Sequence, residues 1–226
     1  LKLYNDGILY PYELGYISSD TKSLIDFHHL FVMGSVLTTT KSATVTAASI
    51  DNCLSSNQNE NPLMGNAFPG RIVNFSLGFA GPGIYCQKDL KQIRSDHQRI
   101  YVLSSGNDND DSCSQKMRHL DNVISVATTN RETNQLASYS IRGRTEITTS
   151  SYIYDNEGDN LSGTSFAAPA VSSIASSLLV KYPSLSVAQL KQALTLGVDF
   201  KGLNVISGGI TTEEKALNVA QSLNSG

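Results

Sequence analysis

Apolar and polar residues follow two periods along this chain, one typical of β-strands and one typical of α-helices. Short apolar runs predict four strands, at Ala43–Ile50, Arg71–Ser76, Ile100–Ser104 and Val123–Ala127. The longest helical pattern extends from Thr164 to Val180, where apolar residues recur with a period of about 3.6. Shorter helices are predicted at Asp89–His97 and His28–Val36.

Two sequence signatures of helix starts follow the long helix. Ser186 with Gln189, and Thr211 with Glu214, have the spacing of a capping box, and the second helix is predicted to run to the C-terminus. Strands that alternate with helices are typical of a three-layer α/β/α fold, in which helices cover both faces of a mostly parallel central sheet. No repeat or Pro/Gly-rich linker divides the chain, so residues 1–226 are predicted to form a single domain.

The composition is that of a globular protein, with 40% hydrophobic and 16% charged residues. The net charge is −3 and no block of Lys or Arg occurs, so we expect neither nucleic acid nor an anionic membrane surface as a partner. No apolar run reaches the roughly 20 residues of a membrane span. No signal-peptide pattern begins at Leu1, and the sequence leaves the compartment open.

Metal and disulfide signals are weak. Cys53, Cys86 and Cys113 are too few for a disulfide framework and lack the paired spacing of a zinc site. One disulfide with a free thiol and three buried thiols fit the sequence equally well. The stretch NDNDD at 107–111 has the oxygen density of a calcium loop but not the glycine and glutamate of an EF-hand, which favours a solvated acidic loop. No metal and no cofactor is therefore predicted.

The stretch LSGTSFAAPAV at 161–171 places a serine at the start of the long predicted helix. With Thr164 as the N-cap, Ser165 would lie in the first turn, where unpaired N–H groups and the helix dipole favour negative charge. A serine that attacks a carbonyl creates an oxyanion beside itself, which such N–H groups stabilise. Pro169 has no N–H to donate to the Ser165 carbonyl, so we expect a distorted turn. An ordinary capped helix has the same pattern, so this stretch alone does not identify a nucleophile.

Six segments of the chain resemble the motifs of one enzyme family. SGTSFAAP at 162–169 resembles the nucleophile motif of the subtilisin-like serine peptidases (subtilases), and His28-x-x-x-Val32-x-Gly34 resembles their histidine motif. The other matching segments are VNFSLG at 73–78, VLSSGN at 102–107, NVISVATT at 122–129 and LASYS at 136–140. The resemblance implies a subtilisin-like fold, hydrolysis of a peptide or protein substrate, and a secreted or extracytoplasmic location.

The same resemblance implies roles for individual residues. Ser165 would be the nucleophile, His28 the general base, and the side chain of Asn107 an oxyanion donor. A substrate peptide would pair with two extended edges, formed by Ser76, Leu77 and Gly78 and by Ser104, Ser105 and Gly106. The small residues of the second edge leave room for a sizeable apolar P1 side chain, while Phe79 narrows a more distant subsite.

The chain departs from the family at the third triad position. Subtilases have an aspartate at the end of the first core strand, and the matching run LKLYNDGILYPYEL puts Asn5 there. A neutral amide cannot stabilise the imidazolium, and in trypsin the same exchange costs roughly 10⁴ in turnover. Asp6 replaces the missing acid if the strand end shifts by one residue. Asp26 is better interpreted as the N-cap of the helix that carries His28.

The chain contains three histidines besides His28. His29 stands where the family usually has glycine, so it either crowds the cleft or, with the helix rotated, acts as the base itself. His97 and His119 are predicted to lie on the surface without a role. Two other functions stay open: a regulatory or peptide-binding module that has lost turnover, and an esterase or acyl transferase that uses the same serine.

Overall fold

Strands and helices alternate through the described part of the chain. A computed structural model describes residues 2–5, 8–11, 70–76, 91–107, 117, 119–130, 132–143, 145–150 and 163–225. The strands are β1 (Lys2–Asn5), β2 (Ile8–Pro11), β3 (Ile72–Phe75), β4 (Ile100–Ser104), β5 (Val123–Thr129), β6 (Ile147–Ser150), β7 (Val198–Phe200) and β8 (Gly209–Thr211). The helices are α1 (Thr164–Lys181), α2 (Val187–Leu196) and α3 (Glu213–Asn224), and residues 91–95 are also helical.

Six of these strands form one sheet in the order β3-β4-β5-β6-β8-β7. Neighbouring strands from β3 to β8 are parallel, and β7 pairs antiparallel with β8 at the edge. In the register of the central strands, Phe75 lies opposite Leu103, and Ser104 lies opposite Val126. The carboxyl ends of β3 and β4 therefore meet at the same edge of the sheet, as the predicted fold requires.

Each face of the sheet buries its own apolar cluster, because successive side chains of a strand point to opposite faces. Ile100 and Val102 of β4 pack in the cluster that includes α1, α2 and α3. Tyr101 and Leu103 of the same strand pack in a second cluster with Ile93 of the helical segment 91–95. Helical segments thus cover both faces, and the predicted three-layer α/β/α arrangement with a mostly parallel sheet is confirmed.

The predicted strands are confirmed wherever the structure describes them. The bounds of β4 are those expected, β5 extends two residues further than Ala127, and β3 is shorter by one residue at each end. The predicted strand Ala43–Ile50 and the predicted helix His28–Val36 lie outside the described residues. The prediction of a single domain over 1–226 stays a prediction.

The long helix begins one residue earlier than the predicted cap implies. Gly163, with φ 142°, is the N-cap of α1, and Thr164 is its first residue, so the prediction of Thr164 as N-cap is wrong. The hydroxyl of Thr164 bonds instead to groups that follow β4. The helix continues through Pro169 to Lys181, so the expected distortion does not interrupt it.

One of the two predicted capping boxes is also shifted. Ser186 and Gln189 cap α2 reciprocally, as expected. Thr211 does not cap α3, because it belongs to β8 and its hydroxyl donates to the Leu194 carbonyl. Thr212 is the N-cap instead, and its hydroxyl accepts from the backbone N–H of Lys215.

The first two strands form a hairpin of their own. β1 and β2 pair antiparallel with Asn5 opposite Ile8, and neither is a strand of the six-stranded sheet. The sequence between the paired ends is Asp6-Gly7, and Asp-Gly is a strong signal for a two-residue hairpin connection. β1 is therefore not the core strand that the resemblance implied for the run ending at Asn5.

Candidate active site

The amino end of α1 meets the carboxyl end of β4. Ser165 is half-buried and is the second residue of α1. Because it belongs to the first turn, it lies among backbone N–H groups that have no intrahelical partners. The first turn contains no acidic residue. This end of the helix is therefore suited to stabilise negative charge that develops beside Ser165.

The side chain of Asn107 holds this helix end in place. Its Oδ1 accepts from the backbone N–H of Thr164 at 3.0 Å and from the hydroxyl of the same residue at 3.0 Å. The Thr164 hydroxyl in turn accepts from the backbone N–H of Gly106 at 3.2 Å. The two bonds to Oδ1 fix the orientation of the amide. Its Nδ2 then points away from Thr164 and can donate to another group.

Two glycines make this approach of β4 and α1 feasible. Gly163 and Gly106 adopt φ values of 142° and 102°, in a region that side-chain-bearing residues rarely occupy. A Cβ at Gly106 would also lie 3.1 Å from the Cδ1 of Ile141, and one at Gly163 would lie 3.6 Å from the Asn107 amide nitrogen. Any larger residue at these positions would strain the backbone that joins the amide to the helix.

Four of the six predicted substrate-binding residues are described, and the structure brings them together. Ser76 follows β3, while Ser104 ends β4 and is followed by Ser105 and Gly106. The two strands are hydrogen-bonded neighbours up to Phe75 and Leu103. Ligands of parallel sheets bind beyond the carboxyl ends of the strands, which is where these residues lie. The other two, Leu77 and Gly78, lie outside the described residues.

Of the remaining predicted catalytic groups, Asn5 alone is described. His28, Asp6 and the alternatives His29 and Asp26 lie outside the described residues, as do the three cysteines and residues 108–111 of the acidic stretch. Asn5 is the last residue of β1. His97 and His119 are exposed, as predicted.

The described residues show neither a metal site nor a membrane span. They contain no cluster of three or more His, Cys, Asp or Glu side chains suited to a metal ion. No helix among them has the length and apolar content needed to cross a membrane.

A charged cluster around the buried Glu146 lies at the amino ends of the parallel strands, whereas Ser165 lies near their carboxyl ends. Glu146, directly before β6, is 5% exposed and accepts from the backbone N–H and the hydroxyl of Ser125. The Nζ of Lys191 lies 3.9 Å from its other oxygen and donates to the Leu120 carbonyl. Burial raises the pKa of Glu146 and lowers the pKa of Lys191, so desolvation outweighs the attraction between the two charges. This cluster is separate from Ser165.

The sequence predicted the wrong structural role for Thr164 and gave no role to Asn74. The hydroxyl of Thr164 positions the Asn107 amide, which a search for helix caps within α1 could not reveal. Asn74 lies in β3 and bonds to a serine of α1. Its signal was a polar amide inside the otherwise apolar run IVNF, since asparagine is depleted in strands.

Comparison with known families and structures gives one consistent result. A model described as the subtilase family matches residues 29–208, most of the chain. No curated protein sequence matches significantly.

Three solved structures resemble this chain in fold. A structure described as the basis of subtilase cytotoxin SubAB assembly is 20% identical with a TM-score of 0.54 and aligns over 72% of this chain and 63% of its own. The A-subunit of the AB5 toxin from E. coli is 20% identical with a TM-score of 0.54, over 70% and 63%. A protease from Pseudoalteromonas arctica is 19% identical with a TM-score of 0.51, over 84% and 57%. The chain thus spans less than two thirds of each of these structures.

Proposed function

The chain belongs to the subtilase family, and from this premise we propose that it is a serine peptidase that cleaves peptide bonds in peptides or proteins. The observation that carries the proposal is the pair of hydrogen bonds from Thr164 to Asn107 Oδ1. They hold a side-chain amide beside the helix end that presents Ser165. A nucleophile next to a preorganised donor is the arrangement that acyl transfer requires.

The proposed reaction begins with attack of the Ser165 hydroxyl oxygen on the scissile carbonyl. His28 accepts the hydroxyl proton, and the carbonyl oxygen becomes an oxyanion that accepts from Asn107 Nδ2 and from the backbone N–H of Ser165. His28 then gives the proton to the leaving amine. Water, activated by the same imidazole, hydrolyses the acyl-enzyme and restores Ser165. These steps need no cofactor.

The substrate would bind in extended form between the segments 76–78 and 104–106. Backbone pairing with a strand edge supplies affinity that does not depend on the side chains of the substrate. The small residues Ser104, Ser105 and Gly106 leave space for an apolar P1 side chain. A peptide library in which only charged P1 residues are cleaved would contradict this preference. Protein substrates and family membership favour a secreted or extracytoplasmic location.

A second candidate function rests on Asn5. If Asn5 occupies the aspartate position, the imidazolium lacks its counter-charge and turnover falls by about 10⁴ relative to a complete triad. The chain would then act as a peptide-binding or regulatory module with the fold and cleft of a peptidase. This alternative predicts peptide affinity without hydrolysis.

Hydrolysis of an unfolded protein substrate distinguishes the two candidates. The purified chain, Ser165→Ala and the control Ser177→Ala, a serine about three turns further along the same helix, would be incubated with fluorescent casein and with a peptide library. Cleavage by the parent and by Ser177→Ala, but not by Ser165→Ala, is the result we expect. Peptide binding by calorimetry without cleavage would favour the module. Hydrolysis of small esters without cleavage of any peptide would indicate an esterase.

A further inference from the structure

A single amide connects the strand that leads to the substrate edge with the helix that carries the nucleophile. Asn74, in β3, donates from Nδ2 to the Ser76 hydroxyl at 2.9 Å. Its Oδ1 accepts from the Ser172 hydroxyl at 3.1 Å. Ser172 lies in α1, two turns after Ser165. Asn74 is half-buried, and both serines are buried, with 5% exposure for Ser76 and 4% for Ser172.

The hydroxyl of Ser172 is itself fixed to the helix. It lies 3.1 Å from the carbonyl oxygen of Ala168, so its single proton is shared between that oxygen and Asn74. Ala168 is fully buried in the apolar cluster between α1 and the sheet. The strand-to-helix connection therefore ends on buried, well-packed helix backbone and not on a mobile side chain.

Directional bonds at this point affect the geometry of catalysis. Apolar packing between β3 and α1 resists separation, but it limits sliding less than hydrogen bonds do, because it has no preferred direction. A substrate paired at Ser76–Gly78 has to present its carbonyl about 3 Å from the Ser165 hydroxyl, and a displacement of about 1 Å can cost 10²-fold in rate. The amide of Asn74 is placed to prevent that displacement.

We propose that Asn74 is a positioning residue, which sets the substrate-binding edge that begins at Ser76 in register with the nucleophile helix through Ser172. This inference rests on the proposed peptidase function and deepens it. Asn74 touches neither the substrate nor the reacting atoms. Its loss therefore impairs reactions that depend on the bound position of a peptide and spares reactions that depend on Ser165 alone.

Two substrates separate these effects in the parent chain, or in Asn5→Asp if the parent is too slow. The first is a small fluorophosphonate without a peptide part, which measures nucleophile reactivity. The second is an extended peptide amide, which has to pair with the substrate edge. The variants are Asn74→Leu, Asn74→Asp and the control Ser177→Ala, and thermal unfolding checks that each is folded.

For Asn74→Leu we expect kcat/KM on the peptide to fall tenfold or more, mostly through kcat, while the labelling rate stays within about twofold. Asn74→Asp keeps an acceptor for both serine hydroxyls, so it should recover part of the peptide hydrolysis. Ser177→Ala should resemble the parent in both assays.

Three results would overturn the positioning role: unchanged peptide hydrolysis in Asn74→Leu, an equal loss in both assays together with a lower melting temperature, or an Asp variant no better than Leu. A different result identifies failure of the proposed function. If the fluorophosphonate labels neither the parent nor Asn5→Asp, Ser165 is not an activated nucleophile, and the inference falls with it.

Discussion

Asn107 Oδ1 accepts two hydrogen bonds from one residue, Thr164, each 3.0 Å long. The two residues are 57 positions apart in sequence and join the loop after β4 to the first turn of α1. Thr164 directly precedes Ser165, so the proposed oxyanion donor and the proposed nucleophile belong to one hydrogen-bonded unit. The donor is thereby oriented before any substrate binds, which is the condition for electrostatic stabilisation of a transition state without reorganisation.

Removal of the Thr164 hydroxyl should lower turnover. Thr164→Val keeps the shape of the side chain but loses one bond to Asn107 and leaves the backbone N–H of Gly106 without its acceptor. A bond worth about 1.4 kcal/mol in the transition state corresponds to a tenfold lower kcat, and we expect KM to change little. Steady-state kinetics on a peptide substrate measures both. Thr164→Ser retains the hydroxyl and serves as the control, so equal effects of Val and Ser would contradict the role of this group.

Restoring an acid at position 5 should raise activity. In Asn5→Asp a carboxylate would select the productive tautomer of His28 and stabilise the imidazolium, with an upper limit of about 10⁴ in kcat. Asp6→Asn is the matched test of the other candidate. If Asp6 already supplies the acid, this variant loses activity and Asn5→Asp gains little. Peptide hydrolysis by the two variants therefore identifies the third triad residue, and an unchanged rate in both would exclude the triad as proposed.

The sheet could be predicted wherever its strands are apolar. Ile100–Ser104 is buried at every position and is bounded as expected. β6 was missed because its sequence is ITTS, in which three of four residues are polar although all four are buried. Two of its hydroxyls bond to the neighbouring strand β5, from Thr148 to the Ala127 carbonyl and between Ser150 and Thr129. Pairing partners distant in sequence cannot be seen in a local hydrophobic pattern.

The site was predictable to the extent that its residues are adjacent in sequence to distinctive motifs. Ser165 and Asn107 both stand in such motifs, and the structure links the helix start of one to the side chain of the other. The hydrogen bonds of Asn74 and of the Thr164 hydroxyl join residues that are distant in sequence, so no local pattern predicts them. The spacing of Thr211 and Glu214 predicts a cap at Thr211, and the pairing of Thr211 with Val198 in the sheet, which excludes that cap, is a tertiary contact as well.

The buried Glu146 and the half-buried Lys191 should be energetically coupled. Lys191→Met leaves a buried carboxylate whose remaining hydrogen-bond partner among the described residues is Ser125, which we expect to cost more than about 1 kcal/mol in the free energy of unfolding. Glu146→Gln keeps an acceptor for Ser125. In the double variant no charge remains, so its loss should be smaller than the sum of the single losses by about 1 kcal/mol or more. Urea denaturation of the four proteins measures this, and strict additivity would contradict the coupling.

Stability should also decline as the pH rises, because Glu146 ionises. Burial raises the pKa of this carboxyl above the ordinary value of 4.5, so the native state binds more protons than the unfolded state between the two pKa values. The stabilisation is complete below the unfolded pKa and is lost as the pH rises through the native pKa. Glu146→Gln removes this titration, including the attraction to Lys191 that only the ionised carboxylate has.

The free energies of unfolding of the parent and Glu146→Gln, measured between pH 4 and pH 8, test this expectation. The parent should lose stability relative to the variant as the pH rises. Glu132→Gln, at an exposed position, is the control and should run parallel to the parent. A parent that gains stability relative to Glu146→Gln over this range would show that the carboxyl prefers its charged form in the native state.

Covalent labelling of the nucleophile is the most direct test of the proposed chemistry. The parent chain, Asn5→Asp, and each of these with Ser165→Ala would be incubated with a fluorophosphonate, and intact mass would follow the modification. We expect a single adduct on the parent, faster labelling of Asn5→Asp, and no adduct where Ser165 is replaced. An adduct that persists in Ser165→Ala, or the absence of any adduct on both the parent and Asn5→Asp, would contradict a peptidase mechanism based on Ser165.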